Sequence, residues 1–223
     1  MSICARLSLA SVVSAFTIPI ALAVLGAASA AHDTADDAPW NPFGAVNSVE
    51  VFTRPFDGSS YPEVRASSTV CATLPELVAF VEDVARFASW IPDTDEARLL
   101  AQPSPRAQIY YIRTAMPWPI RHRDMVYRLA ESQDSSPTPD VVVSIEGVPE
   151  YIADYPGVVR MTAVTGQWTF HEDAGRTHID LVMHIEPGGN IPAWLANRRI
   201  VGTPSKMLEN LRRQFVSLCH DAP

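Results

Sequence analysis

The stretch Trp118-Pro119-Ile120-Arg121-His122-Arg123-Asp124-Met125-Val126-Tyr127 passes from a proline-containing loop into a strand. Its centre, His122-Arg123-Asp124, has the residue types of an acid–base cluster. Consecutive side chains on a strand point to opposite faces, so the three cannot easily converge on one reacting atom. They read instead as a turn or strand start pinned by an Arg–Asp contact.

Working outward, strands are expected near 96–102, 107–115, 123–131, 141–148, 158–170 and 176–186, with a loop over Ser132-Gln133-Asp134-Ser135-Ser136-Pro137-Thr138-Pro139. The last strand has the clearest alternation. Ile179, Leu181, Met183 and Ile185 share one face, and His178, Asp180, His184 and Glu186 the other, as in an antiparallel sheet with one face packed and one in water. Upstream, Val49 to Phe56 and Glu63 to Val70 read as strands joined by Asp57-Gly58-Ser59-Ser60. Residues 73–88 read as a helix, opened by a Thr73/Glu76 capping box and ended by Ser89-Trp90-Ile91-Pro92. A long helix closes the chain. Asn190 is its expected cap, and Trp194, Leu195, Met207, Leu208, Leu211, Phe215 and Leu218 its apolar face. Gly202 and Pro204 should kink it. This element order gives an α+β domain.

The N-terminus reads differently. Arg6 precedes an uncharged run, Leu7 to Ala31, that closes on Ala28-Ser29-Ala30. This is the pattern of a secretory signal over 1–30, cleaved after Ala30. The same run could serve as an uncleaved anchor. Residues 31–47 read as a linker with little structure, and 48–223 as the domain. The signal implies export, and the alanine- and arginine-rich composition points to a bacterial periplasm. Cys71 and Cys219 would survive cleavage, either as one disulfide or as two separate buried thiols.

The formal net charge is −8, from 25 acidic and 17 basic residues, which argues against nucleic acid as a partner. Arg198, Arg199, Lys206, Arg212 and Arg213 cluster near the C-terminus and leave room for transient membrane contact. His178 and His184 lie six residues apart on one strand, about 20 Å, too far to share a metal. No nucleophile elbow or zinc-spaced cysteine pair is present, and no cofactor is implied. The large adaptable residues Trp90, Trp118, Trp168, Trp194, Tyr127, Met125, Met183 and Met207 could pack a solid core or line a cavity. Nothing suggests an obligate oligomer, so a monomer is expected.

Several segments, in order, resemble the START family of lipid-transfer domains. They are Val84 to Pro92, with Trp90; Trp118-Pro119 followed by Arg123-Asp124 and Met125 to Leu129; Gly157 to Arg160 with Gly166-Gln167-Trp168; and Gly188 to Asn197, with Asn190. The resemblance runs from about Val49 to Leu218. It implies a helix-grip fold: a curved antiparallel sheet wrapped around a long C-terminal helix with an internal hydrophobic cavity. It implies non-catalytic binding of one sterol, phospholipid, fatty-acyl or other apolar molecule. Met125, Tyr127, Trp168, Leu181, Met183, Trp194, Met207 and Leu211 are the expected ligand-binding residues. Trp90, Trp118, Arg123, Asp124 and Asn190 are expected to be architectural. Where family members often carry a cavity arginine after the Arg-Asp pair, this chain has Leu129, with Arg128 one residue early on the opposite face. A second reading is a superfamily enzyme, a cyclase or hydrolase acting on an apolar substrate, with Tyr127, His171 and Glu172 as candidates.

Overall fold

The computed structural model describes residues 38–46, 48–133 and 140–216. Ten strands form one sheet: β1 (Asn41–Val46), β2 (Val49–Arg54), β3 (Glu63–Val70), β4 (Thr94–Ser104), β5 (Ala107–Thr114), β6 (Arg123–Gln133), β7 (Val141–Gly147), β8 (Val159–Arg160), β9 (Ala163–Asp173) and β10 (Arg176–Glu186). The order is β1-β2-β3-β10-β9-β7-β6-β5-β4, with β8 beside β6. All pairings are antiparallel except β6–β8. The β3–β10 pairing joins the first strands to the last and makes one continuous sheet.

Residues 41–46, expected to be linker, form β1 on β2. Residues 41–45 are all exposed, so no buried face imposes an alternation there, and the register shifts between Pro42 and Gly44. The segment expected as one strand over 158–170 is two, β8 and β9. β8 leaves the main path of the sheet to pair with the start of β6.

Between β3 and β4 lie α1 (Leu74–Glu82), a 3-10 turn (Val84–Arg86) and α2 (Phe87–Trp90). Both the amide N–H and the hydroxyl of Thr73 donate to Glu76 Oε2, at 2.9 and 2.8 Å, so the capping box is made. Those hydrogen bonds hold the Glu76 carboxyl below its usual pKa.

The closing helix, α3 (Ala193–Phe215), runs through Gly202 and Pro204. It begins after Pro192, which is its N-cap and offers no side-chain acceptor. Asn190 is therefore not the cap. It lies exposed, beyond the Gly188-Gly189 turn, where both glycines take positive φ. Ile200, Val201, Met207, Leu208, Leu211 and Phe215 are buried on the helix, which packs on β2, β3 and α2. Leu218 and Cys219 lie outside the described residues, as does the expected signal over 1–30. Among the described residues no helix is long and apolar enough to cross a membrane.

The second face of the sheet is not simply in water. His184, expected on the wet face of β10, is 1% exposed. Its ring stacks on Phe56, with centroids 3.7 Å apart and planes 5° from parallel. The turn after β2 folds back over this end of β10, and Ser59 donates to Glu186. At the other end of the sheet a smaller cluster of Ile109, Tyr111 and Val126 is covered by Val148 and Ile152.

Candidate ligand cavity

The β5–β6 ladder sets the geometry. Gln108 pairs with Leu129, Ile112 with Met125, and Thr114 with Arg123. With side chains alternating, these residues and Tyr127 fall on one face. Across from them stand Val143 and Ile145 of β7, Trp168 and Phe170 of β9, and Leu181 and Met183 of β10. α3 closes the space with Ala196, Ile200, Thr203 and Met207. The result is a cavity of about 160 Å³. A single buried water needs only about 10–15 Å³ measured in the same way, so this is no packing defect.

Six of the eight residues expected to bind ligand line this cavity: Met125, Tyr127, Trp168, Leu181, Met183 and Met207. Leu211 does not; it is fully buried in the adjoining solid core. Trp194 does not either, being 69% exposed. At 100° per residue it stands about 200° around α3 from Ala196, which does face the cavity. Trp90 lines the cavity and meets Trp168 edge-on at 6.2 Å. Trp118, preceding a cis peptide bond to Pro119, is 92% exposed. Ile112, Phe170 and Ile200 are lining residues not singled out from the sequence, and Leu129 lines the cavity at the place the resemblance marked for a cavity residue. The alternation of β5 against β6 was the available signal for Ile112 and Leu129, once their register was known.

The Arg123–Asp124 contact expected from the sequence is not the one that forms. Asp124 is 1% exposed and pairs with Arg160, whose Nε and Nη2 reach its two oxygens at 2.8 and 3.2 Å. Arg160 also donates to the carbonyls of Pro149 and Ile152. It thus ties the covering segment, β8 and β6 together. Burial alone would lower the Arg160 pKa, but the hydrogen bond and charge of Asp124 raise it. Arg123, on the opposite face, turns to the cavity. It too is almost wholly buried, at 3% exposed, and makes no ion pair among the described residues. Burial, and then the charge of Arg121, push its pKa below the usual value.

The two ends of the cavity differ in charge. At the far end of the ladder stand Glu82, Glu131 and Gln108, with Gln108 3.5 Å from Glu82. Burial, and next the charge of Glu131, raise the Glu82 carboxyl above its usual pKa. At the near end are Arg123 and the Arg199–Asp93 pair, 2.7 Å apart. Leu129 lines the cavity, whereas Arg128 points away and lies 4.0 Å from Glu146.

The residues considered for catalysis are not assembled. Tyr127 is buried in the cavity wall, and burial raises its phenol pKa strongly. His171 is exposed and sits 2.7 Å from Asp140. Glu172 is exposed and accepts from the Leu74 amide at 2.7 Å, at the start of α1. The two side chains belong to the rim of the sheet, while Tyr127 is in its interior.

A large antiparallel sheet packed on a long C-terminal helix, with an apolar cavity between, defines a helix-grip α+β domain. Comparison with known proteins specifies the class. The START domain model matches residues 34–220. The chain is 31% identical over 194 residues to the uncharacterized protein PA1579 of Pseudomonas aeruginosa, covering 86% of this chain and 93% of that one. A STAR-related lipid transfer protein from Xanthomonas axonopodis superposes with a TM-score of 0.72 at 32% identity, covering 79% of this chain and 98% of that one. Human StAR-related lipid transfer protein 5 shares the fold, with a TM-score of 0.72 at 17% identity over 82% of this chain and 89% of its own. The chain belongs to the START domain family and is a homologue of its lipid transfer proteins.

Proposed function

We propose that this protein binds a single lipid-like molecule in the cavity and carries it between membranes without chemical change. The observation that supports this best is the cavity itself. It is lined mainly by apolar side chains, among them Met125, Trp168, Leu181, Met183 and Met207, with its charged groups at the two ends. Each CH₂ transferred there from water contributes roughly 0.8 kcal/mol, so an acyl chain or ring system needs few polar contacts to bind tightly. Trp118 and Trp194 present exposed indoles suited to brief contact with a bilayer surface. Such contact would let the ligand enter and leave.

Export belongs to the same reading, supported by Arg6, the uncharged run and Ala28-Ser29-Ala30. In an oxidising compartment Cys71 and Cys219 would form a disulfide. Sequencing the mature N-terminus tests export: a first residue near Ala31 supports it, and an intact Met1 on cytoplasmic protein refutes it. Native mass spectrometry with solvent extraction tests binding. One apolar molecule per chain is the expected result. An empty protein that takes up no fatty acid, sterol or phospholipid would overturn the reading.

A further inference from the structure

Two of the buried side-chain polar atoms that have no hydrogen-bond partner among the described residues belong to cavity-lining residues: Nε of Arg123 and Nε1 of Trp90. Both can only donate. A buried donor without an acceptor is costly, and a buried charge without a counter-ion more so. The other charges near the cavity offer Arg123 no relief. Asp124 is on the opposite face and held by Arg160, while Asp93 is held by Arg199. Nη1 of Arg123 donates to the carbonyl of Arg121, a neutral acceptor. The near end of the cavity therefore carries one positive charge in excess.

We propose that Arg123 seats the anionic oxygen group of the ligand, so that the preferred cargo is a single-chain amphiphile with an acidic head. The proposal rests on the reading of the cavity as a ligand site. Guanidinium groups suit carboxylate and phosphate oxygens, through charge-assisted hydrogen bonds stronger than neutral ones. The chain would run along the β6 row, past Met125, Tyr127 and Leu129. From Arg123 to Glu131 is eight residues, about 27 Å at the usual rise per residue, which is ample for an extended acyl chain. The far end is lined by Glu82 and Glu131, which repel an anion and fix the direction of entry. At the head end, a Cβ on Gly189 would stand 3.9 Å from Nη2 of Arg123 and 3.1 Å from Val159. The turn before α3 is thus drawn close over this charge.

The test uses the delipidated full chain titrated with hexadecanoic acid, hexadecyl phosphate and hexadecan-1-ol, read by the change in intrinsic tryptophan fluorescence, to which the cavity residues Trp90 and Trp168 contribute. The expected result is at least about tenfold tighter binding of an acidic form than of the alcohol. Whether the carboxylate or the phosphate arm is preferred identifies the head. Arg123→Gln should weaken the acids to the level of the alcohol, while Arg123→Lys should keep part of the preference. Equal binding of acids and alcohol by the wild type would overturn the proposal while leaving a general apolar carrier intact. So would an undiminished acid preference in Arg123→Gln. Binding of none of the three would overturn the carrier reading itself. The wild-type comparison decides the matter even if Arg123→Gln does not fold.

Discussion

Arg123 and Asp124 are neighbours on one strand, both almost fully buried, and their surroundings are opposite. On the Asp124 side a carboxylate, a guanidinium and backbone carbonyls satisfy one another, and the segment over 148–160 is fastened to the sheet. On the Arg123 side the charge faces an apolar cavity and has no counter-ion among the described residues. Burial alone does not distinguish the two. A paired buried charge holds a fold together, whereas an unpaired one beside a cavity is poised for a ligand.

The sharpest way to break this comparison is to remove Asp124. Asp124→Ala leaves Arg160 buried with only the exposed Asp154, 3.6 Å away, as counter-ion and should cost about 3 kcal/mol in urea denaturation. Arg123→Met, by contrast, removes a charge that has no counter-ion among the described residues and should leave stability unchanged or raised in the ligand-free protein. Equal losses in the two variants would erase the distinction. Gly166→Ala comes next. Its Cβ would meet the Val182 carbonyl oxygen at 2.3 Å, where β9 and β10 run side by side. The expected penalty is about 1–3 kcal/mol, visible as a lower Tm.

Filling the cavity tests its side of the comparison. Leu129→Trp should reduce uptake of a fluorescent fatty acid by roughly tenfold or more, equivalent to ~1.4 kcal/mol of binding, with a much smaller change in unfolding. Undiminished uptake would mean that the ligand lies elsewhere. The smallest effect is expected at the exposed indoles. Trp118→Ala and Trp194→Ala should each alter stability by less than about 0.5 kcal/mol, yet slow transfer between vesicles. An unchanged transfer rate would remove these residues from membrane contact.

The sheet also carries a pH-dependent contact outside this comparison. Burial alone would raise the Asp180 pKa, but Ser67, Arg65 and His178 together bring it below its usual value. A depressed native pKa means that the unfolded chain takes up its proton first as pH falls. The contribution is therefore complete above the ordinary carboxylate range and is lost as pH drops through the native pKa. Asp180→Asn should flatten the acid limb of the stability profile.

Most of the strands, the capped helix after β3, the long closing helix and the buried face of β10 were legible in the sequence, and a set of ordered motifs carried the resemblance to the family. The elements follow from local chemistry: alternation, capping residues, proline and glycine positions. The resemblance, rather than periodicity, singled out Met125, Tyr127, Trp168, Leu181, Met183 and Met207, all of which line the cavity. Only the tertiary structure decided that Trp194 faces solvent, that β1 forms where a linker was expected, and that His184 lies under Phe56. Only it gave Asp124 to Arg160, a residue 36 positions away, and so left Arg123 facing the cavity with no counter-ion among the described residues. Strand periodicity says which side chains share a face. It does not say what covers that face or which distant charge will arrive there, because pairing between remote residues depends on sheet order and register.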